Sequence, residues 1–425
     1  MKTIRLVTAT CAALITIMAG SVPAGPAGAA VRAGDWPQFM GGRYHQGWNP
    51  VEYRLTPASA PALRPAWTEP IETSSYAPNS GSPVIVDSTV VVGGPAVTAR
   101  DVATGRLLWA RELRGSVITT PAWAGRTIVV AEVPDAYGEE SFTGVAAMDA
   151  ATGVVRWERR VAGAGLTSPT VAGGSVLIGY DTGVARLRLA DGRLMWRTDL
   201  PGRVSSPTAD GTRVFVGDTG GTGLTALNLR TGQRLWRRVG GTEGYTVDGF
   251  APALLGGVLF APLDGITALD ARTGSVRWRG ERGTTFPWGL ATDGRRVIGV
   301  SNDAHVVAVA ARTGRPLWSA DLHGVVRAAA IAGGVAFFGS QSRTGANQID
   351  LIDVATGAPL GEIALPGFGD DLTYTPMPVA VSRGRVAVAD WEYLVLLGPP
   401  PGDSTISPLS RRVRGTAEMP AGSIP

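Results

Sequence analysis

Apolar and polar residues alternate over short stretches along most of the chain, and turn residues separate one stretch from the next. Around Ser168–Tyr180 the chain reads SPTVAGGSVLIGY and continues as DTGVARLRLADGRLMW. The run Ser175–Tyr180 contains β-branched residues and is bounded by turn residues, as strands are. Gly173-Gly174 and the Ala-Thr-Gly or Arg-Thr-Gly triplets indicate tight turns, because glycine supplies the positive φ that hairpins need. The pattern predicts a meander of four antiparallel strands, named A to D from the inside outwards.

This unit recurs eight times. Its clearest copy, ALDARTGSVRW, ends at Trp278, and the other copies that end in tryptophan do so at Trp109, Trp157, Trp196, Trp236 and Trp318. A degenerate copy, LIDVATGAPLG, has Gly361 in the tryptophan slot, and Trp67 carries only the outgoing half of the pattern. The intervals between slots are 42, 48, 39, 40, 42, 40 and 43 residues. A fixed period in this range is typical of solenoids, propellers and arrays.

The two ends of the repeat complement each other. Trp67 marks a strand D without strands A to C before it, whereas Pro378–Leu397 supplies strands A to C without a strand D. Joining these halves completes an eighth blade, and closure leaves only short, protected sheet edges. We therefore predict an all-β, eight-bladed propeller of four-stranded antiparallel blades over residues 62–398, closed by N- and C-terminal strands. An open β-solenoid is the alternative.

The repeats resemble the pyrroloquinoline-quinone-like repeat, whose pattern is Ala-x-Asp-Ala-x-Thr-Gly-x-x-x-Trp. The opening DWPQFMGGRYHQGWNP, Asp35–Pro50, resembles the Trp-Pro-x-Phe-x-Gly lead-in common in that family. The resemblance covers about Asp35 to Gly398 and implies the propeller fold. The family contains quinoprotein dehydrogenases as well as non-catalytic scaffolds such as the outer-membrane assembly lipoprotein, so the resemblance alone does not assign a function.

The N-terminal residues 1–29 are typical of a secretory signal. Lys2 and Arg5 form a basic start, Leu6–Met18 is mostly apolar, and Ala27-Gly28-Ala29 fits a cleavage site of small residues. We therefore expect a secreted, extracellular protein without a stable membrane anchor. Residues 30–61 form a lead-in segment before the propeller.

Composition narrows the chemistry of the mature chain. The only cysteine, Cys11, lies inside the proposed signal, so the mature chain has neither disulfides nor cysteine-bound metal. The formal net charge of +4 is small for 425 residues and indicates no nucleic-acid partner. The tail 399–425 is rich in Pro, Gly and Ser, and we expect it to be disordered and the protein to be monomeric.

Strand order predicts where ligands bind. D–A connections and B–C loops emerge on one face, the loop face, whereas A–B and C–D turns emerge on the other, the turn face. The D–A loops entering blades 2 to 4 are small, but those entering blades 5 to 8 and blade 1 carry aromatic and charged side chains. The candidate ligand-binding residues are Tyr76, Tyr245, Asp248, Phe286, Trp288, Arg327, Asp370, Asp371 and Tyr374. The alternative is that these longer loops pack on their own aromatic residues.

Other polar residues on the loop face have simpler interpretations. Asp181, Asp218, Asp264, Asp303 and Asp390 could form a ring of carboxylates, or could serve only as turn residues. The acidic insertion Val133–Gly144 could contact a partner or be a solvated loop. His305 and Asp303 could act as a base and its orienting carboxylate only if a nucleophile faced them.

No catalytic residue or metal site is assigned from the sequence, and enzymatic activity stays open. Quinoprotein dehydrogenases of this fold carry a vicinal cysteine pair and a calcium-binding Glu/Asn set, neither of which can be matched here. We therefore expect no pyrroloquinoline quinone and no calcium. The function predicted first is a secreted, non-catalytic scaffold that binds a protein, peptide or glycan. The alternative is an extracellular enzyme acting on a small molecule at the mouth over blades 5 to 8, with a quinone-dependent dehydrogenase as a further case.

Overall fold

Eight four-stranded antiparallel blades make up the fold, and in one of them the short strand β1 (Trp48–Asn49) adds parallel to the innermost strand as a fifth strand. The computed structural model describes residues 30–71, 81–134, 142–218, 223–240, 251–286, 289–324, 326–327, 329–342, 344, 346–366, 379–389 and 392–400. In every blade the strands follow the order A-B-C-D, as the alternating pattern predicts. The prediction of an all-β, eight-bladed propeller is therefore confirmed.

The strands divide regularly among the blades. The segment before the first complete blade holds η1 (Phe39–Gly41), β1 (Trp48–Asn49), η2 (Ala60–Ala62) and β2 (Arg64–Pro70), where η marks a 3₁₀ turn. Blades 1 and 2 consist of β3 (Val84–Val86), β4 (Thr89–Val92), β5 (Ala96–Asp101), β6 (Leu107–Glu112), β7 (Ala122–Ala124), β8 (Thr127–Glu132), β9 (Gly144–Asp149) and β10 (Val155–Arg160). Blades 3 and 4 consist of β11 (Thr170–Ala172), β12 (Ser175–Tyr180), β13 (Gly183–Arg188), β14 (Leu194–Asp199), β15 (Thr208–Ala209), β16 (Arg213–Asp218), β17 (Gly223–Asn228) and β18 (Arg234–Val239). Blades 5 and 6 consist of β19 (Ala253–Leu255), β20 (Val258–Ala261), β21 (Ile266–Asp270), β22 (Val276–Gly280), β23 (Leu290–Thr292), β24 (Arg296–Val300), β25 (His305–Ala310) and β26 (Pro316–Asp321). Blade 7 and the C-terminal part of blade 8 consist of β27 (Ala330–Ala332), β28 (Val335–Gln341), β29 (Asn347–Asp353), β30 (Pro359–Ala364), β31 (Ala380–Ser382), β32 (Arg385–Ala389) and β33 (Tyr393–Gly398).

The two chain ends close the ring within blade 8. Strand β2 pairs antiparallel with β33, with Arg64 opposite Gly398 and Thr68 opposite Val395. The N-terminal strand is therefore strand D of the last blade, as the half-repeat at Trp67 predicts. Because the sheet is completed by two segments far apart in the chain, the ring is held shut by backbone hydrogen bonds and not only by contacts between blades.

The repeated tryptophans join each blade to the next. In seven blades the indole N–H donates to a backbone carbonyl of the following blade. Examples are Trp157 to Leu189, at 2.8 Å, and Trp278 to Ala311, at 3.0 Å. The same ring lies on the glycine of that blade's C–D turn, so a Cβ at Gly314 would lie 2.4 Å from the Trp278 ring. Glycine is therefore required at Gly314 for two reasons: the indole ring approaches it closely, and its φ is 71°.

Gly361 has a structural explanation. A tryptophan there would lie on the C–D turn of blade 8, but blade 8 has no such turn because its strand D comes from the N terminus. Instead, η2, which leads into that strand, contacts β30 of blade 7. Ala60 of η2 is fully buried. The repeat therefore lacks its tryptophan at Gly361, where blade 8 offers no C–D turn on which an indole could pack.

The lead-in segment is part of the propeller. From Trp36 to Asn49 it forms hydrogen bonds to the innermost strand of every blade, in order from blade 1 to blade 8. The inner-strand residues bonded in this way are Ile85, Trp123, Val171, Ala209, Leu254, Thr292, Ile331 and Val381. Asp35 also bonds to Asp87 and Arg383, which lie in A–B turns. The segment therefore runs around the inside of the ring on the turn face.

Buried side chains of the lead-in fill this axial space. Trp36, Phe39 and Met40 are each at most 5% exposed, and His45 is 1% exposed. The imidazole of His45 lies between two hydroxyls, with Nε2 3.2 Å from Thr170 Oγ1 and Nδ1 2.9 Å from Thr208 Oγ1. Burial lowers the pKa of His45 to about 3, so the ring is neutral at physiological pH.

Candidate functional site

The loop face is the predicted site, and two of its nine candidate residues lie in the described part of the chain. These are Phe286 and Arg327. The remaining candidates, Tyr76, Tyr245, Asp248, Trp288, Asp370, Asp371 and Tyr374, lie outside the described residues. Their role in ligand binding stays a prediction.

Phe286 belongs to the core between blades 5 and 6. Its side chain is fully buried in a cluster that includes Leu290 and Phe260. A Cβ on Gly299 would lie 2.6 Å from the Phe286 ring, which shows how closely β24 passes beneath it. For this residue the contacts agree with the packing alternative: the aromatic side chain anchors its own loop.

Arg327 follows strand D of blade 6 and precedes strand A of blade 7. Its backbone N–H donates to Gly339 at 3.1 Å, which ties the connection to strand B. Burial lowers the pKa of the Arg327 guanidinium to about 10, so the side chain still carries a positive charge at neutral pH. A partly desolvated arginine near the propeller mouth is suited to an anionic group on a ligand.

The aspartates of the B–C turns pair locally instead of converging. Asp218 is buried at the end of β16 and forms a 3.0 Å ion pair with Arg237. Asp181 pairs with Arg203 at 3.4 Å, and Asp264, at φ 56°, pairs with Arg282 at 3.5 Å. Asp390 lies outside the described residues. Each of these three aspartates therefore pairs with an arginine of its own blade or of the connection that follows that blade.

His305 and Asp303 do not form the pair considered from the sequence. His305 Nδ1 lies 2.5 Å from Asp321 Oδ1, on strand D of the same blade. Asp303 instead accepts a hydrogen bond from the Ser301 hydroxyl, and this bond is the largest cause that lowers its pKa. His305 therefore pairs with Asp321 and not with Asp303, and both side chains of this pair are at least partly exposed.

Hydroxyl side chains link the first blades near the axis. The Ser82 backbone N–H donates to Thr120 Oγ1 at 2.9 Å, and the Thr120 N–H donates to Ser168 Oγ at 2.9 Å. These three residues precede the proline that leads into strand A in blades 1 to 3, and all are buried. The short Ser/Thr-Pro loops of the sequence therefore connect consecutive blades through their hydroxyls.

Blade 7 contains a buried polar cluster that the sequence reasoning missed. Asp350 on β29 is 5% exposed and accepts hydrogen bonds from the Ser340 hydroxyl and from Gln348 Nε2. Burial raises the pKa of Asp350, and Glu362, opposite it on strand D, raises it further. The repeat contained a signal for this cluster. The positions equivalent to Asp350 in blades 2 and 6 hold the apolar residues Ala146 and Val307.

A second unusual carboxyl lies in blade 2. Glu132 ends strand B, is fully buried, and accepts a hydrogen bond from the Gly115 N–H at 3.2 Å. Burial raises its pKa to about 8, and the neighbouring Glu158 carboxyl adds to the rise. Glu158 itself pairs with Arg114 at 3.3 Å. Burial and the neighbouring carboxyl therefore both favour the protonated form of Glu132.

The described residues do not fit a quinone–calcium site. A hard cation needs several oxygen donors that converge on one point. In blade 7, Asn347 aligns with Ile349 on one face of β29 and Asp350 lies on the other face, so these two oxygen donors do not converge. In the part of the chain that is described, no three His, Cys, Asp or Glu side chains group together. We derive no chemistry through this cofactor.

Fold and site together define a closed propeller of pyrroloquinoline-quinone-like repeats with a variable loop face. The sequence profile of the family described as outer membrane protein assembly factor BamB matches residues 59–144 and 141–360. The chain belongs to this family. No curated protein matches it in sequence. Among the described residues no helix is both long enough and apolar enough to span a membrane.

Solved structures show the same fold at low identity. BamB from Moraxella catarrhalis is 17% identical with a TM-score of 0.63, over 79% of this chain and 99% of that one. Quinohemoprotein alcohol dehydrogenase from Comamonas testosteroni is 15% identical with a TM-score of 0.61, over 92% of this chain and 83% of that one. A europium-containing methanol dehydrogenase is 14% identical with a TM-score of 0.61, over 86% and 98%. At this level of identity, these likenesses show the fold alone.

Proposed function

We propose that this protein is a non-catalytic propeller scaffold that binds a protein, peptide or glycan through its loop face. The observation that carries the proposal is the path of the lead-in segment, which bonds to all eight inner strands and fills the axial space on the turn face. The opposite face carries the connections that vary in length and chemistry. Variable loops on a rigid frame are where binding residues concentrate.

The frame suits a binding role for a physical reason. Seven of the eight blades are joined to the next by an indole hydrogen bond, and the ring is closed by β2 and β33, so the blades that carry the loops are held at fixed separations. A pre-organised surface loses less entropy when a partner binds. Arg327 supplies a positive charge near the mouth. Trp288 and Tyr374, which are predicted to bind the ligand, would add aromatic contacts.

The test compares the loop face with the turn face. Purified protein is screened against a displayed random peptide library and a glycan array, and hits are measured by calorimetry. The double variant Trp288→Ala/Tyr374→Ala should weaken binding at least about tenfold, as loss of aromatic anchors does. Arg312→Ala, in an exposed C–D turn, serves as the control and should leave it unchanged. Equal binding by both variants would show that the ligand does not bind at these loop-face residues.

A second candidate is an extracellular enzyme that acts on a small molecule. It is favoured by the raised pKa values of Glu132 and Asp350, because carboxyls with perturbed pKa values are common in active sites. No catalytic residue is assigned to this activity, and the residues whose loss would favour the enzyme are Asp370, Asp371 and Trp288. Turnover of a hydrolase or oxidoreductase substrate panel that is lost in Asp370→Asn/Asp371→Asn, with unchanged melting temperature, would establish the enzyme and overturn the scaffold proposal.

A further inference from the structure

Charge is distributed unevenly over the outer strands. Strands D of blades 2 to 5 (β10, β14, β18 and β22) carry nine arginines and two carboxylates. Those of blades 6, 7, 8 and 1 (β26, β30, β2 and β6) carry two arginines and four carboxylates. Since the whole chain has a net charge of only +4, the basic residues are concentrated on one half of the rim.

The concentration peaks at blade 4. Its outer hairpin, Asn228–Val239, contains Arg230, Arg234, Arg237 and Arg238 and no carboxylate. The repeat places Asp149 and Asp270 at the first hairpin position in blades 2 and 5, where they pair with Arg156 and Arg277, but blade 4 has Asn228 there. Of the four arginines, Arg237 alone has a close carboxylate partner among the described ion pairs, namely Asp218.

Exposed apolar side chains lie among these charges. On blade 4, Leu235 is 47% and Val239 is 75% exposed; on blade 3, Leu194 is 55% and Met195 is 45% exposed. Together with Arg193, Arg230 and Arg234 they form what we call the blade 3–4 rim. Arginine and methionine are enriched in protein interfaces, and arginine anchors carry much of the binding energy there.

The backbone of the rim is also available. Strand β18 is the last strand of its sheet and bonds to β17 on its inner side, so its outer edge has no partner strand within the described chain. An open edge is a template for another extended segment, which would gain main-chain hydrogen bonds while its alternate side chains contact the surface. Arginines along the edge disfavour another basic strand and favour an acidic one.

We propose that the blade 3–4 rim docks an extended acidic segment of a partner protein, which adds as a fifth strand to the outer edge of blade 4. Its carboxylates pair with Arg230 and Arg234, and its apolar residues cover Leu235 and Val239. A polysaccharide or polyphosphate would satisfy the charges but has no apolar side chains for the exposed leucine and valine. A flat bilayer would meet a convex rim at few points. The rim is a second surface, distinct from the loop face.

The experiment uses a fluorescein-labelled ten-residue peptide of alternating glutamate and valine, and anisotropy is measured with the full mature chain in 50 mM NaCl. We expect saturable binding that weakens at least about tenfold in Arg230→Glu/Arg234→Glu, since reversing rim charges turns attraction into repulsion. The matched control is Arg312→Glu/Arg315→Glu, two exposed arginines in the equivalent hairpin of blade 6, which should bind within about twofold of the parent. Leu235→Ser should weaken binding without changing its salt dependence.

Two further measurements separate strand addition from simple charge attraction. Bound peptide should slow amide hydrogen exchange across residues 234–239, and a peptide N-methylated at alternate residues should fail to bind. The proposal is wrong if the peptide does not bind, if both charge-reversal pairs lose binding equally, or if N-methylation has no effect. It is also wrong if heparin or phosphatidylglycerol vesicles bind through these arginines and the peptide does not.

Discussion

Trp278→Ala tests whether the repeat tryptophans hold neighbouring blades together. The indole lies half-buried between blade 5 and the C–D turn of blade 6, donates to Ala311 at 3.0 Å, and lies 6.0 Å from the Phe260 ring. Burying about 100 Å² of ring surface contributes about 2.5 kcal/mol at 25 cal/mol per Å². The hydrogen bond adds about 1 kcal/mol and the aromatic contact about 0.5–1 kcal/mol.

We therefore expect Trp278→Ala to lower the free energy of unfolding by about 4 kcal/mol, within the range for truncating a buried aromatic side chain. Urea unfolding followed by far-UV circular dichroism measures this change without relying on tryptophan fluorescence. Val276→Ala is the matched control, because Val276 lies on the same strand and is 37% exposed. A loss below about 1 kcal/mol, or one equal to that of the control, would show that the ring does not join the blades.

Three further changes test the closure and the buried titrating groups. Deleting residues up to Glu72 removes strand D of blade 8 and the lead-in segment, so the melting temperature should fall by at least about 10 °C; an unchanged value refutes closure. His45 has a folded pKa of about 3, below its unfolded value of 6.5, so its contribution is complete above pH 6.5 and is lost as the pH falls towards 3. In His45→Asn, urea titrations from pH 7 to 4 should therefore show a flatter loss of stability, and an unchanged slope would contradict the assignment. Glu132 has a folded pKa of about 8, above its unfolded value of 4.5, so it costs stability increasingly as the pH rises from 4.5 to 8. Glu132→Gln should stabilise the protein by about 1–3 kcal/mol at pH 8 and little at pH 4; stabilisation that is equal at both pH values would be inconsistent with a proton on Glu132.

The sequence by itself determined the blade and the number of blades. Alternation and turn glycines are local signals, and the spacing between Trp109 and Trp318 repeats them often enough to give strand order and register. The half-repeat at Trp67 also predicted closure, because the C-terminal repeat lacks a strand D and the N-terminal segment supplies one. These features depend on contacts within one repeat or between adjacent repeats, so a one-dimensional pattern encodes them.

Tertiary structure decided what depends on residues distant in the chain. The lead-in gives no periodic signal, yet Trp36–Asn49 finds partners on all eight inner strands because the ring brings those strands together. Gly361 looks like a degenerate copy until the closure shows that blade 8 has no turn for a tryptophan to cover. From the sequence alone Phe286 is a candidate ligand contact, but in the structure its side chain is buried in the core between blades 5 and 6. The arginines near Arg234 become a surface only because the outer strands of successive blades lie side by side on one rim.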